Sequence, residues 1–97
     1  MLTLTGTAAE ITTANGSIYS LTLDADGTGI AMVNSNEIFG QVIDQFRFAR
    51  ITFEFVGGEL RAFFHGGCAM DRNPVEFDRP GSRVRMTSRV VDVVPMG

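Results

Sequence analysis

From Arg47 to His65 the chain alternates apolar and polar residues on either side of a Gly-Gly pair, and few local structures accommodate that pattern. Ile51, Phe53 and Phe55 fall on one side, Thr52 and Glu54 on the other, which is the period of a half-buried strand. Gly57-Gly58 supplies the positive φ angles of a tight hairpin turn. The alternation then resumes, with Leu60, Ala62 and Phe64 on one side and Arg61, Phe63 and His65 on the other. The stretch predicts a β-hairpin with an apolar inner face and a mixed, aromatic and basic outer one.

The residues before it read the same way. Leu2, Leu4 and Ala8 alternate with Thr3, Thr5 and Thr7, and this first strand, bent at Gly6, runs through Ile11 to the turn Ala14-Asn15-Gly16. Residues 17–24 form a second strand with Tyr19, Leu21 and Leu23 inward. Asp24-Ala25-Asp26-Gly27 turns the chain into a third strand over 28–33. Beyond it, Asn34 and Glu37 have the spacing of a capping box, and Ile38, Phe39, Val42, Ile43 and Phe46 recur at helical intervals. The spacing predicts a helix of two to three turns here, with Gly40 costing about 1 kcal/mol relative to Ala. Residues 66–82, with Asn73, Pro74, Pro80 and Gly81, read as a long connection that is either functional or partly strand-like around 75–77. A last strand follows over 82–94. In it Val84, Met86 and Val90 are expected inward, and Arg83, Arg85 and Arg89 outward. The adjacent pairs Val90-Val91 and Val93-Val94 predict a bulge or burial on both faces.

The fold class expected is therefore mainly β with one short helix, a single domain over 1–97, in the order β-β-β-α-β-β plus a C-terminal strand. Three segments resemble the oligonucleotide/oligosaccharide-binding (OB) fold. Leu4-Thr5-Gly6-Thr7 looks like its "x-x-G-x-V" opening. Tyr19 to Asp24 followed by Asp26-Gly27-Thr28-Gly29 is similar to its "F-x-L-x-D-x-x-G" ending of strand two. Pro80-Gly81-Ser82-Arg83-Val84-Arg85-Met86 through Val90 looks like its "x-G-x-x-V-x-V-x-G-x-V" strand. The resemblance implies a small antiparallel barrel that binds single-stranded nucleic acid. In that family the Gly-x-x-Val strand directly follows the helix; here the Phe-rich hairpin intervenes. An elaborated barrel, or a different small β-barrel or roll, is the alternative.

Composition bounds the function. With 97 residues, 44% hydrophobic and 20% charged, the chain has the makeup of a globular domain, and no run approaches the roughly 18 apolar residues of a membrane span. The first residues lack the basic and apolar regions of a secretory signal, and the lone Cys68 excludes an internal disulfide, so a cytoplasmic location is expected. All basic residues are Arg. Up to Phe46 there are five acids and no base, and from Arg47 on there are eight Arg and six acids, −5 against +2. A GC-rich coding sequence explains Arg without Lys; a demand for planar guanidinium forks is the functional alternative. The total of −3 argues against non-specific binding to duplex backbone but allows a local basic stripe.

Catalytic chemistry finds no support. His65 and Cys68 could ligate one metal or act as base and nucleophile, but no second His or Cys completes a zinc site and no orienting acid is apparent. Asp24, Asp26 and Gly27 echo a calcium loop, yet Ser35 stands where its bidentate Glu belongs. The glycine pairs match no phosphate-binding fingerprint. We expect no enzyme, no metal and no cofactor.

What remains is an outward set comprising Phe48, Arg50, Arg61, Phe63 and His65 on the hairpin with Arg83, Arg85 and Arg89 on the last strand. Aromatics interleaved with Arg suit single-stranded DNA or RNA, with bases stacking on Phe48 and Phe63. The competing expectation is a protein-interaction or assembly module, of the size of a phage-type accessory or inhibitor protein, using the Phe-rich hairpin as its interface and pairing as a homodimer. A third reading is structural: Phe48 and Phe63 cover a second core face or a dimer contact, and the Arg residues form a solvated face paired with Glu54, Glu59 and Asp92.

Overall fold

A computed structural model describes residues 8–37, 40–82 and 84–96. They form eight strands, β1 (Ala8–Thr13), β2 (Ile18–Leu23), β3 (Gly29–Glu37), β4 (Gly40–Phe48), β5 (Arg50–Val56), β6 (Glu59–His65), β7 (Val84–Met86) and β8 (Val90–Pro95), with one 3-10 turn at Pro74–Phe77. Two antiparallel sheets result, ordered β4-β3-β2-β1-β8 and β5-β6-β7. The opening of the expected first strand, with Gly6, lies outside the described residues.

The turns repeat one chemical device. At the first, Gly16 N–H donates to Thr13 O and Thr13 N–H to Ser17 O, both at 3.0 Å; at the second, Gly27 N–H donates to Asp24 O at 3.0 Å and Asp24 N–H to Thr28 O at 2.8 Å. Each is a three-residue loop closed by a glycine at positive φ, 87° and 90°, the conformation an L side chain resists. The residue before the glycine braces the loop: Asn15 Oδ1 accepts from Ser17 N–H, and Asp26 Oδ1 from Thr28 N–H. Ala-Asn-Gly-Ser and Ala-Asp-Gly-Thr thus encode the same geometry. The bonds from Thr28 also hold the Asp26 carboxyl below its usual range, its hydroxyl bond first. The Asp24–Asp26 pair is committed to this turn.

The helix expected over 38–46 is replaced from Gly40 onward by a strand; Ile38 and Phe39 lie outside the described residues. β4 pairs with β3 throughout, from Glu37↔Gly40 to Gly29↔Phe48. Apolar residues at i, i+4 and i+8 also fall on one side of a strand, and the β-branched Val42 and Ile43 favour that state once β3 offers a ladder. Without that helix, the element order of the OB resemblance is not met. The strand-like reading of 75–77 is also corrected: these residues form the 3-10 turn, with Asn73 Oδ1 accepting from Val75 N–H.

Phe46, Phe48, Phe53, Phe64, Tyr19, Ile11, Leu21 and Val90 fill the space between the sheets. Phe64 is at the centre, its ring 5.1 Å from those of Phe46 and Phe48 and 5.7 Å from Tyr19. Gly29 has no room for a side chain: a Cβ would lie 2.6 Å from the Phe48 ring and 2.5 Å from Thr22 O.

The sheets are joined where strands bend. β4 passes into β5 through Ala49, and β7 into β8 through residues 87–89. Each bend shifts the inward positions by one residue. Before the first bend Phe46 and Phe48 point in; after it, Ile51 and Phe53 do. Before the second, Arg85 lies opposite the buried Phe64 and Thr87 is buried; after it, Val90 is. Two expectations fail for this reason. Phe48, placed on the outward face, is fully buried, and Val84 and Met86, placed inward, are exposed. The bulge expected near Val90 is present: Thr12 pairs with Asp92 and Thr13 with Val90, leaving Val91 extra.

Candidate interaction face

The outer face of the three-stranded sheet collects half of the expected site residues. Register places Arg50 opposite His65 and Val84 beyond it, Thr52 opposite Phe63 and Met86 beyond it, and Glu54 opposite Arg61. Phe63 is half-buried in the middle strand, with exposed Met86 and Val84 at its side. Val84 and Met86 escape a sequence reading because the bend at 87–89 reverses their parity relative to Val90.

The arginines are largely engaged. Arg50 grips Asp78 through two bonds, Nε to Oδ2 at 2.9 Å and Nη2 to Oδ1 at 3.3 Å. Arg61 donates from Nη2 to Glu59 Oε2 at 3.0 Å and from Nη1 to the Thr87 carbonyl at 3.1 Å. The latter bond ties the face to the bend between β7 and β8. Arg85 is on the opposite face, its guanidinium 4.3 Å from the centre of the Phe46 ring and 3.4 Å from Asp44. There it closes one end of the aromatic core and does not line the outer face with Arg61. Arg89 lies in the bend, exposed, its carbonyl accepting from Ala14 N–H. Arg83 lies outside the described residues.

At one end of the face a cleft of about 370 Å³ opens between His65 and the loop that carries Asp78, Arg79 and Ser82. Thr52 Oγ1 lies 2.8 Å from His65 Nε2. Burial, then the neighbouring Arg50, lowers the His65 pKa below 6.5, against the pull of Asp78 and Glu54. The folded chain therefore keeps this imidazole neutral where the unfolded chain protonates. Below the unfolded value the unfolded state binds more protons, so stability is lost as pH falls. From about pH 7 to about pH 5, the thermal midpoint of the wild type should drop further than that of His65→Gln. Parallel pH profiles of the two proteins would contradict this.

Cys68 lies three residues past His65, beyond the end of β6. Its backbone N–H and carbonyl both bond Arg47, at 2.9 Å, extending β4's ladder. Burial pushes its thiol pKa up, outweighing Arg47 and Arg72, the reverse of what a nucleophile needs. Among the described residues no three His, Cys, Asp or Glu side chains come together as a metal site, and no helix is long and apolar enough to cross a membrane. No family model, curated protein or solved structure matches this chain.

Proposed function

We propose that this chain is a non-catalytic protein-interaction module whose contact surface is the outer face of β5-β6-β7. The observation that carries the reading is the pairing of charge around an apolar centre. Phe63, Met86 and Val84 lie side by side, while the flanking Arg50 and Arg61 are held by Asp78 and Glu59. Aromatic, Met and Arg residues in such an arrangement are the enriched components of protein interfaces. The second reading, single-stranded DNA or RNA, draws on the same row of Phe63, His65, Arg50 and Arg61. Phosphate contacts there would have to displace existing carboxylate partners, which disfavours it. We also infer that the two sheets work as one small barrel, because residues 40–56 and 84–95 each run through both.

Two measurements test the function. Fluorescence titration with short labelled oligothymidine and oligouridine at low salt should show no saturable binding. Affinity capture from the native lysate should retain a protein in fixed stoichiometry, lost with Phe63→Glu and kept with Val91→Glu on the other sheet. Saturable strand binding that Phe63→Ala abolishes would replace the proposal with the nucleic-acid reading.

A further inference from the structure

We propose that the open edge of β5 pairs with the same edge of a second copy, in an antiparallel register centred on Thr52. β5 is the terminal strand of its sheet, and no other strand lies beside it among the described residues. Its seven residues, Arg-Ile-Thr-Phe-Glu-Phe-Val, contain neither Lys nor Pro, two common means of blunting an edge. Phe55 stands at its end with 76% of its surface exposed.

The backbone groups that the edge offers can be identified. Ala62 C=O accepts from Thr87 N–H at 2.9 Å, and Ala62 N–H donates to Thr87 Oγ1 at 3.1 Å. Ala62 therefore directs both groups towards the chain that follows β7. Alternation along β6 turns Arg61 and Phe63 towards β5, where Glu54 and Thr52 lie opposite. On β5 it follows that Thr52 and Glu54 bond β6, while Ile51, Phe53 and Phe55 direct their N–H and C=O groups outward.

A second antiparallel copy satisfies those groups when odd residues face odd residues, which any two-fold axis through a residue achieves. Charge selects among the axes. Centred on Phe53, Arg50 meets Val56; centred on Glu54, two glutamates meet. Centred on Thr52, Arg50 of each copy lies opposite Glu54 of the other, twice. Arg50 bonds Asp78 through Nε and Nη2, leaving Nη1 for this contact. In the same register Ile51 lies opposite Phe53, extending the inner apolar face across the joint, and Thr52 meets Thr52 on the axis. Two three-stranded sheets become one of six, joined along the edge of the outer face and not over its Phe63 centre.

The axis makes the register testable. Antiparallel neighbours in a non-hydrogen-bonded pair have Cα atoms about 4.5 Å apart, within disulfide range. With Cys68 replaced by Ser, Thr52→Cys should form a covalent dimer under mild oxidation, and Ser20→Cys on the other sheet should not. Light scattering should give twice the chain mass for the wild type and for Phe63→Glu, and a single chain for Arg50→Glu. Adding Glu54→Arg to Arg50→Glu should restore the dimer. A wild type that stays monomeric overturns the proposal and leaves the edge to another protein's strand. A dimer in which Thr52→Cys fails to cross-link also overturns it.

Discussion

Phe64→Ala is expected to cost about 3–5 kcal/mol, the range for deleting a buried aromatic ring. The reason is its position: Phe64 touches Tyr19, Phe46 and Phe48 and is fully buried. Each aromatic pair adds about 0.5–1.5 kcal/mol beyond the area it buries, so the upper part of that range applies. The neighbours resist collapse into the gap, because the β3–β4 ladder holds the backbone of Phe46 and Phe48 and the Phe48 ring already packs against the backbone at Gly29. A domain this size has a stability of about 5–15 kcal/mol, and each kcal/mol lost moves its midpoint by about 4–8 °C. Thermal unfolding followed by circular dichroism should show a fall of about 15 °C or more. The exposed Val91→Ala should stay within about 0.5 kcal/mol of the wild type. Equal effects at the two positions would contradict the arrangement of the core.

Ending the chain after Pro80 is expected to abolish folding. The cut removes β7 and β8, and with them the buried Thr87 and Val90. It strips β1 of its partner from Ala9↔Pro95 to Thr13↔Val90, and β6 of its partner from Phe63↔Met86 to His65↔Val84. Buried groups lose bonds as well, since Ala62 N–H and C=O are both satisfied by Thr87. Leaving such groups unpaired costs about 1–3 kcal/mol each, and burying Val90 contributes a further 1.5–3 kcal/mol or so. Added to the lost ladders, this reaches the whole stability of a small domain. Urea titration should show no cooperative transition for the truncated chain. A soluble truncation that unfolds cooperatively would make the last two strands peripheral.

The turns were readable because each depends on a few local residues. Asn15-Gly16, Asp26-Gly27 and Gly57-Gly58 all sit where their chemistry predicts; β2 alternates as written, and β5 does so up to Phe53, beyond which Phe55 is exposed. What local reading missed arose at the bends. Parity carried back from Arg50 put Phe48 outside, and parity carried back from Val90 put Met86 inside; both errors are one residue wide and come from Ala49 and residues 87–89. Ile38 to Phe46 failed differently, since its apolar spacing suits helix and strand alike and only pairing with β3 decides. Within the candidate face, Phe63, His65, Arg50 and Arg61 were legible from the hairpin alone. Val84 and Met86 were not, and neither was the capture of Arg50 by Asp78, which lies 28 positions away.

The ladder between β1 and β8 also sets a sequence of events in time. Every other pairing within the five-stranded sheet joins neighbours in the chain, closed over short turns, whereas Ala9 must find Pro95. Hairpins form in about 1–10 μs, so those local pairs are available early. The distant pair requires almost the whole chain to be ordered around it, although the entropic penalty rises by only about 0.6 kcal/mol per doubling of loop length. Contacts of such long range slow folding, so folding in milliseconds to seconds, as in other all-β proteins, is expected of this chain. Until β8 arrives, β1 has one satisfied edge and one bare edge. That waiting period is when a crowded solution of this protein is most exposed to strand exchange between molecules.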